Sequence, residues 1–151
     1  MFVILRVRGK IGVRENIERS MELLNLTRVN HCVLYNDNPK IKGMLKKAKD
    51  YITWGEISKD VLIKLLKKRG KVYTKEGKLI KISEQEKDFE KLAEDILSSK
   101  KNIKELNIKP VFRLKPPSKG YDKKGIKKTF KEGGVLGYRG ENINSLLRRM
   151  I

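Results

Sequence analysis

The chain opens with two hydrophobic rhythms that take turns. Residues 2–8 are apolar and β-branched and read as a strand, with Val3, Leu5 and Val7 on one face and Phe2, Ile4, Arg6 and Arg8 on the other. Gly9-Lys10-Ile11-Gly12 makes a loop. Ile17, Met21 and Leu24 then recur at helical spacing, with Leu23 beside the stripe, and Asn25-Leu26-Thr27-Arg28 ends that helix. Residues 29–35 read as a second strand. Asn36-Asp37-Asn38-Pro39 forms a turn that caps a second helix, where proline's missing N–H costs nothing at the first position. Ile41, Met44, Leu45 and Ala48 give that helix its apolar face, and residues 51–57 read as a third strand. The order is β-α-β-α-β, which makes the fold class α+β.

Beyond Ile57 the rhythm changes. Ser58 starts a third helix with Asp60 in its first turn, where a negative charge suits the helix dipole. Val61, Leu62, Leu65 and Leu66 form its buried stripe, and Lys64, Lys67, Lys68 and Arg69 a basic patch towards its end. Residues 72–74 and 79–82 flank Lys75-Glu76-Gly77-Lys78 as a β-hairpin. Ser83 and Glu86 have the spacing of a capping box. Phe89, Leu92, Ala93, Ile96 and Leu97 follow the pattern of an amphipathic helix over 84–97. Val111-Phe112-Arg113-Leu114 is a short apolar piece before Pro116-Pro117. Residues 118–140 show little periodicity and hold six of the twelve glycines. Ile143, Leu146, Leu147 and Met150 close the chain as a short amphipathic helix. Three segments follow: a core at 1–57, a helix–hairpin–helix insertion at 58–108, and a basic, Gly-rich extension with a C-terminal helix at 109–151. From Ile57 onward the chain is thus mostly helical and basic.

Charge decides what kind of partner to expect. The formal net charge is +19, and it is uneven: +7 over 58–82, −2 over 83–108 and +8 over 109–139. Like charges repel in the compact state, so such an excess points to a polyanion as counter-charge, with nucleic acid ahead of an anionic membrane surface. The best amphipathic helix, 84–97, is acidic, which disfavours the membrane. No apolar stretch approaches the ~20 residues that span a bilayer, and the N-terminus has its apolar residues before its charges, the reverse of a secretory signal. One cysteine, Cys32, and one histidine, His31, exclude a disulfide pair and the usual zinc spacings, and fit a cytosolic, reducing setting. No phosphate loop or dinucleotide fingerprint is present. We expect no enzyme, no cofactor and no small-molecule substrate.

The candidate binding residues are therefore basic or glycine. Lys119, Lys123, Lys124, Lys127, Lys128 and Lys131, balanced only by Asp122 and Glu132, suit an extended segment threading between RNA helices. Arg113 and Lys115 precede that run. Lys10, Arg14, Lys40, Lys42, Lys46 and Lys47 form a weaker patch that fits a solvated helix face about as well. Trp54 reads as core before base-stacking, whereas Tyr121 and Tyr138 lie in basic, glycine-rich surroundings that leave stacking on a base open to them.

The sequences Phe2-Val-Ile-Leu-Arg-Val-Arg-Gly, Asn36-Asp-Asn-Pro-Lys-Ile-Lys-Gly-Met44 and Tyr51-Ile-Thr-Trp-Gly-Glu-Ile57 together resemble the large-ribosomal-subunit protein thirty family. The closing Gly133-Gly134-Val-Leu-Gly137-Tyr-Arg139-Gly-Glu141-Asn-Ile143-Asn144-Ser-Leu-Leu147-Arg148-Arg149-Met150 is similar to its archaeal form, akin to the eukaryotic cytosolic large-subunit protein seven. The resemblance implies a somewhat ferredoxin-like β-α-β-α-β domain with a three-stranded sheet, in the cytoplasmic ribosome. It implies binding to large-subunit ribosomal RNA with the 5S RNA nearby, other large-subunit proteins as neighbours, and no catalysis. It marks Pro39, Lys42, Gly43, Gly133, Gly134, Arg139, Arg148 and Arg149 as RNA-binding. The alternative is a free-standing RNA-binding accessory factor in RNA processing or assembly.

Overall fold

A computed structural model describes residues 1–74, 77–85, 88–98 and 105–151. The elements run β1 (Phe2–Arg6), α1 (Glu15–Leu23), β2 (His31–Tyr35), α2 (Pro39–Ala48), β3 (Ile52–Glu56), α3 (Lys59–Arg69), β4 (Lys71–Tyr73), β5 (Leu79–Lys81), α4 (Ile82–Gln85), α5 (Phe89–Leu97), β6 (Val111–Arg113), β7 (Gly137–Tyr138) and α6 (Ile143–Met150). The anticipated capping box involves Glu86, which lies outside the described residues; so do Lys75 and Glu76 of the hairpin turn.

β1 is the central strand, antiparallel to β2 on one side and to β3 on the other. β2 and β3 therefore run the same way with β1 between them, joined through α2 as a split β-α-β unit. The sheet does not stop at these strands. The extension adds β6 antiparallel to β2, and β7 parallel to β3, giving five strands in the order β6-β2-β1-β3-β7. Both additions are too short to show a period of their own; an open edge on the older strand recruits them.

Helices cover both faces. Ile4, Val33 and Ile52 pack under Met21 and Leu24 of α1 and its exit, and Leu45 and Ala48 of α2. Val3, Leu5, Val7, Cys32 and Leu34 pack under Val61, Leu62, Leu65 and Leu66 of α3, Leu92, Ala93 and Ile96 of α5, and Ile143, Leu146, Leu147 and Met150 of α6. Each such Leu contributes about 1.5–3 kcal/mol by leaving water. Cys32 is fully buried, and burial pushes its thiol up, away from the reactive thiolate. Leu23 falls off the stripe and is exposed.

One strand residue departs from the surface role that its charge suggests. Arg6 is fully buried. Its guanidinium donates to the carbonyls of Leu26 (2.7 Å), Arg8 (2.9 Å) and Gly9 (3.1 Å), and to the carboxylate of Glu18 (3.4 Å). A buried cation is tolerable only with such a full set of acceptors. Arg6 thereby pins the turns at either end of α1 to the central strand.

Asn144 of α6 plays a comparable part on the far side. Its side chain accepts from the Ser58 N–H (2.9 Å) and donates to the carbonyls of Glu56 (2.9 Å) and Glu141 (2.8 Å). Ser58 caps α3 by position but not through its hydroxyl, whose buried oxygen has no partner among the described residues, while its own N–H donates to Asn144. Gly55 of β3 is required here, since a Cβ at that position would run into the Gly140 carbonyl.

Candidate nucleic-acid interface

The last turn of α3 carries Lys67, Lys68 and Arg69, and Gly70 then turns the chain directly into β4. β4 pairs with β5 so that Lys71 faces Lys81. On its other side β4 meets residues 107–109: the Tyr73 N–H donates to Asn107 O (3.0 Å), and the Lys109 N–H to Lys71 O (2.8 Å). β6 follows at once. The result is a groove of about 380 Å³ whose lining includes Lys68, Arg69, Lys71, Lys81, Lys109 and Arg113 and no carboxylate.

Like charges placed directly across a strand pair destabilise it, so Lys71 opposite Lys81 is a cost that the fold itself does not require. Among the described residues Lys68, Lys71, Lys81, Lys109 and Arg113 form no ion pair, while Arg69 donates to the backbone oxygen of Ile151 (3.1 Å) and leaves its buried Nε without a partner. Of this set, only Arg113 is among the binding residues expected from the sequence, and Lys68 and Arg69 stand out there as a basic helix end. The charge of 58–82 signals the rest, but its convergence with Lys109 and Arg113 depends on a tertiary pairing.

Beyond the groove the chain passes the end of α6. Lys115 N–H donates to Met150 O (3.1 Å) and Ser118 N–H to Arg149 O (3.0 Å), so the strand after β6 runs along the end of α6. Lys115, Lys119, Lys123, Lys124, Lys127, Lys128, Lys131 and Arg148 are exposed.

The loop that carries most of these lysines is ordered around a residue expected to face RNA. Arg139 is buried. Its guanidinium donates to Asp122 (2.7 Å) and to Val135 O (3.2 Å) and lies 4.6 Å from the centroid of the Phe130 ring. Arg149 donates to Gly120 O (3.0 Å) and approaches Asp122 (3.5 Å). A 3₁₀ turn at Phe130–Glu132 is closed by a capping box between Thr129 and Glu132 and ends on Gly133 in the left-handed region (φ 88°). Gly134 is buried, and a Cβ there would strike the Lys128 carbonyl. Arg139 and Gly134 are thus buried within the loop's own fold, whereas Arg149 contacts the loop and stays partly exposed. Tyr121 is likewise half-buried, donating to Asn30 (3.2 Å).

The remaining candidates lie across the sheet on the α1/α2 layer. Lys10 pairs with Glu18 (3.0 Å) and, more distantly, Glu22 (3.9 Å). Burial works to raise the Glu18 carboxyl, but Lys10 and Arg6 overcome it and hold it below the usual carboxylate range. Pro39 occupies the first turn of α2, after Asn38 accepts from the Lys40 N–H (3.0 Å). Lys42 pairs with Asp37 (2.8 Å), whereas Arg14, Lys40, Lys46 and Lys47 are exposed. Gly43 sits on the open surface of α2, with nothing within 4 Å of a Cβ placed there. At the opposite sheet edge Tyr138 is 50% exposed and donates to Glu56 (2.7 Å), which pushes its phenol up.

His31 reports on the groove. It is cross-strand to Arg113 and buried. Burial first, then the charges of Arg113, Arg28, Arg6 and Lys109, hold its imidazole below the ordinary value of 6.5. The unfolded chain therefore binds the proton more readily, and stability present above that value is lost as pH falls through it towards the folded value. As the chain has a single histidine, one imidazole resonance follows this in an NMR pH titration. We expect Arg113→Glu to move its midpoint upward; an unmoved midpoint means that the groove's field does not reach His31.

The fold and its charge define a small, strongly basic α+β protein with many cations left unmatched by carboxylate. The family described as Ribosomal protein L30p/L7e matches residues 2–52. The chain is 49% identical over 153 residues to large ribosomal subunit protein uL30 of Nanoarchaeum equitans, covering 100% of this chain and 99% of that protein. It is 49% identical to the uL30 protein of Methanococcus maripaludis (99% of each) and 46% identical to that of Methanobrevibacter smithii (100% of each). The chain belongs to the ribosomal protein L30p/L7e family, in its archaeal form. No described helix is long and apolar enough to cross a membrane.

Proposed function

We propose that the chain is a structural constituent of the large ribosomal subunit that binds and stabilises ribosomal RNA. The observation that carries this is the groove: six cations converge without a carboxylate, at the cost of setting Lys71 against Lys81. Phosphates that enter release condensed counterions and remove the repulsion in one step. The exposed lysines of 119–131 offer further cations outside the groove. Gly43 fits the same use, because a mid-helix glycine costs about 0.5–1 kcal/mol relative to alanine and no internal contact here asks for one. Nearness to the 5S RNA and to other large-subunit proteins follows from the family likeness. No catalytic step is part of the proposal.

Binding of the purified chain to protein-free large-subunit RNA across a salt series tests it. With six groove cations engaged, log affinity should fall against log salt with a slope of roughly −4 or steeper. A nearly flat dependence means that the groove does not take phosphates.

A further inference from the structure

The edge formed by β3 and β7 holds a pocket unlike the groove. It encloses about 360 Å³, within the ~300–1,000 Å³ typical of ligand sites, and is lined by aromatic rings and carboxylates as well as lysines. Trp54 and Tyr138 form two of its walls, with ring centroids 6.3 Å apart and planes tilted by 48°. The Phe2 ring is a third wall, and the Lys42 ammonium lies 5.9 Å from its centroid. We propose that this pocket takes one unstacked nucleobase with an exocyclic amino group, guanine foremost, from the RNA. The proposal rests on the RNA-binding function above and adds a base-reading site to it.

Three features carry it. The first is Tyr138. β7 is only two residues long, and glycines at positive φ flank the tyrosine (Gly137 at 85°, Gly140 at 54°). The short strand holds a large ring half in water above the pocket, and a core role asks for no such exposure. An aromatic face presented beside a cationic rim is what an unstacked base packs on.

The second is Glu56. Its Oε1 accepts from the Tyr138 hydroxyl (2.7 Å), and Oε2 takes no hydrogen bond among the described residues. A carboxylate repels phosphate, so it is misplaced in a pocket for backbone alone. It accepts from base N–H groups. Guanine sets an imino and an amino donor side by side on its Watson–Crick edge, whereas uracil offers mainly acceptors there. The third is the rim. Lys46 lines the pocket, and Asp37 holds Lys42 beside it (2.8 Å). Both ammonium groups are placed for the phosphates that flank a splayed nucleotide.

Trp54 is the only tryptophan of the chain, so its emission reports on this pocket alone. The test titrates the full-length protein with two single-stranded RNA oligonucleotides of equal length, one of uridines only and one with a central guanosine run. Binding is followed by anisotropy and the pocket by Trp54 emission. The guanosine oligonucleotide should quench Trp54 and bind about five- to tenfold more tightly, as one good base contact allows. Glu56→Gln should bring the two oligonucleotides level. Tyr138→Ala should weaken the guanosine one by about fivefold or more while sparing the uridine one. Equal affinities, or binding that leaves Trp54 emission unchanged, would overturn the base pocket and leave RNA binding intact. Failure of both to bind at low salt would instead defeat the RNA-binding function itself.

Discussion

Lys68→Glu, Lys81→Glu and Arg113→Glu combined should lower affinity for large-subunit RNA by about tenfold per site, on the order of a thousandfold together. The three residues line one groove, are exposed, and have no ion pair among the described residues. None fills the core, so thermal unfolding should change little; Glu at position 68 alone meets an unfavourable helix dipole at the end of α3, at about 0.3–1 kcal/mol. The salt dependence gives a second reading, because each phosphate contact removed takes about 0.7–0.9 from its slope. The same reversal at Lys40 and Lys47, across the sheet on α2, should cost far less. If the groove variant binds like the native chain, or if the α2 variant is the weaker of the two, the main phosphate surface lies elsewhere.

The second large effect concerns stability. Arg139→Ala removes the residue that the basic loop folds around. Asp122 keeps only Arg149 at 3.5 Å, the Val135 carbonyl loses its donor, and the face of Phe130 opens. Breaking a buried ion pair by deleting one partner costs about 3–5 kcal/mol. Denaturant unfolding should show a loss near the lower figure, because Asp122 is partly exposed. Limited proteolysis should then cut within 118–137. Arg139→Lys should rescue little, since one ammonium cannot reach the carboxylate, the carbonyl and the ring face together. A loss under about 1 kcal/mol, with the loop still resistant, would show that its order does not depend on Arg139. Resistance lost without any loss of global stability would make the loop an independent unit.

Hydrophobic period made the centre of this fold legible. Val3, Leu5 and Val7 do share one face and Ile4 lies on the other; the stripes of α3 and α6 bury the residues that their spacing marks, and that of α5 buries Leu92, Ala93 and Ile96 while Phe89 and Leu97 stay half-buried. What period does not reveal is where a charge finds its partners. Arg6 looks like a surface residue because its acceptors are carbonyls at Leu26, Arg8 and Gly9, groups that every residue carries. Arg139 matches a family motif, yet its ring, carboxylate and carbonyl partners come from three separate places in an aperiodic loop. The groove was half visible: the charge of 58–82 stands out, but Lys109 and Arg113 join it only because residues 107–109 pair beside β4. The shared pocket of Trp54 and Tyr138 follows from the parallel pairing of β3 and β7, which two residues of strand cannot announce.

The order of strands has a consequence for how the molecule is made. The first strand synthesised lies at the middle of the sheet, and both outermost strands, β6 and β7, come from the last third of the chain. While translation is under way, β2 and β3 present bare edges, and such edges pair readily with other chains. Closing them requires contacts of long sequence separation, which form late. A nascent chain therefore stays open to misassociation until its C-terminal segment emerges, and a chain released before residue 111 has neither flank sealed.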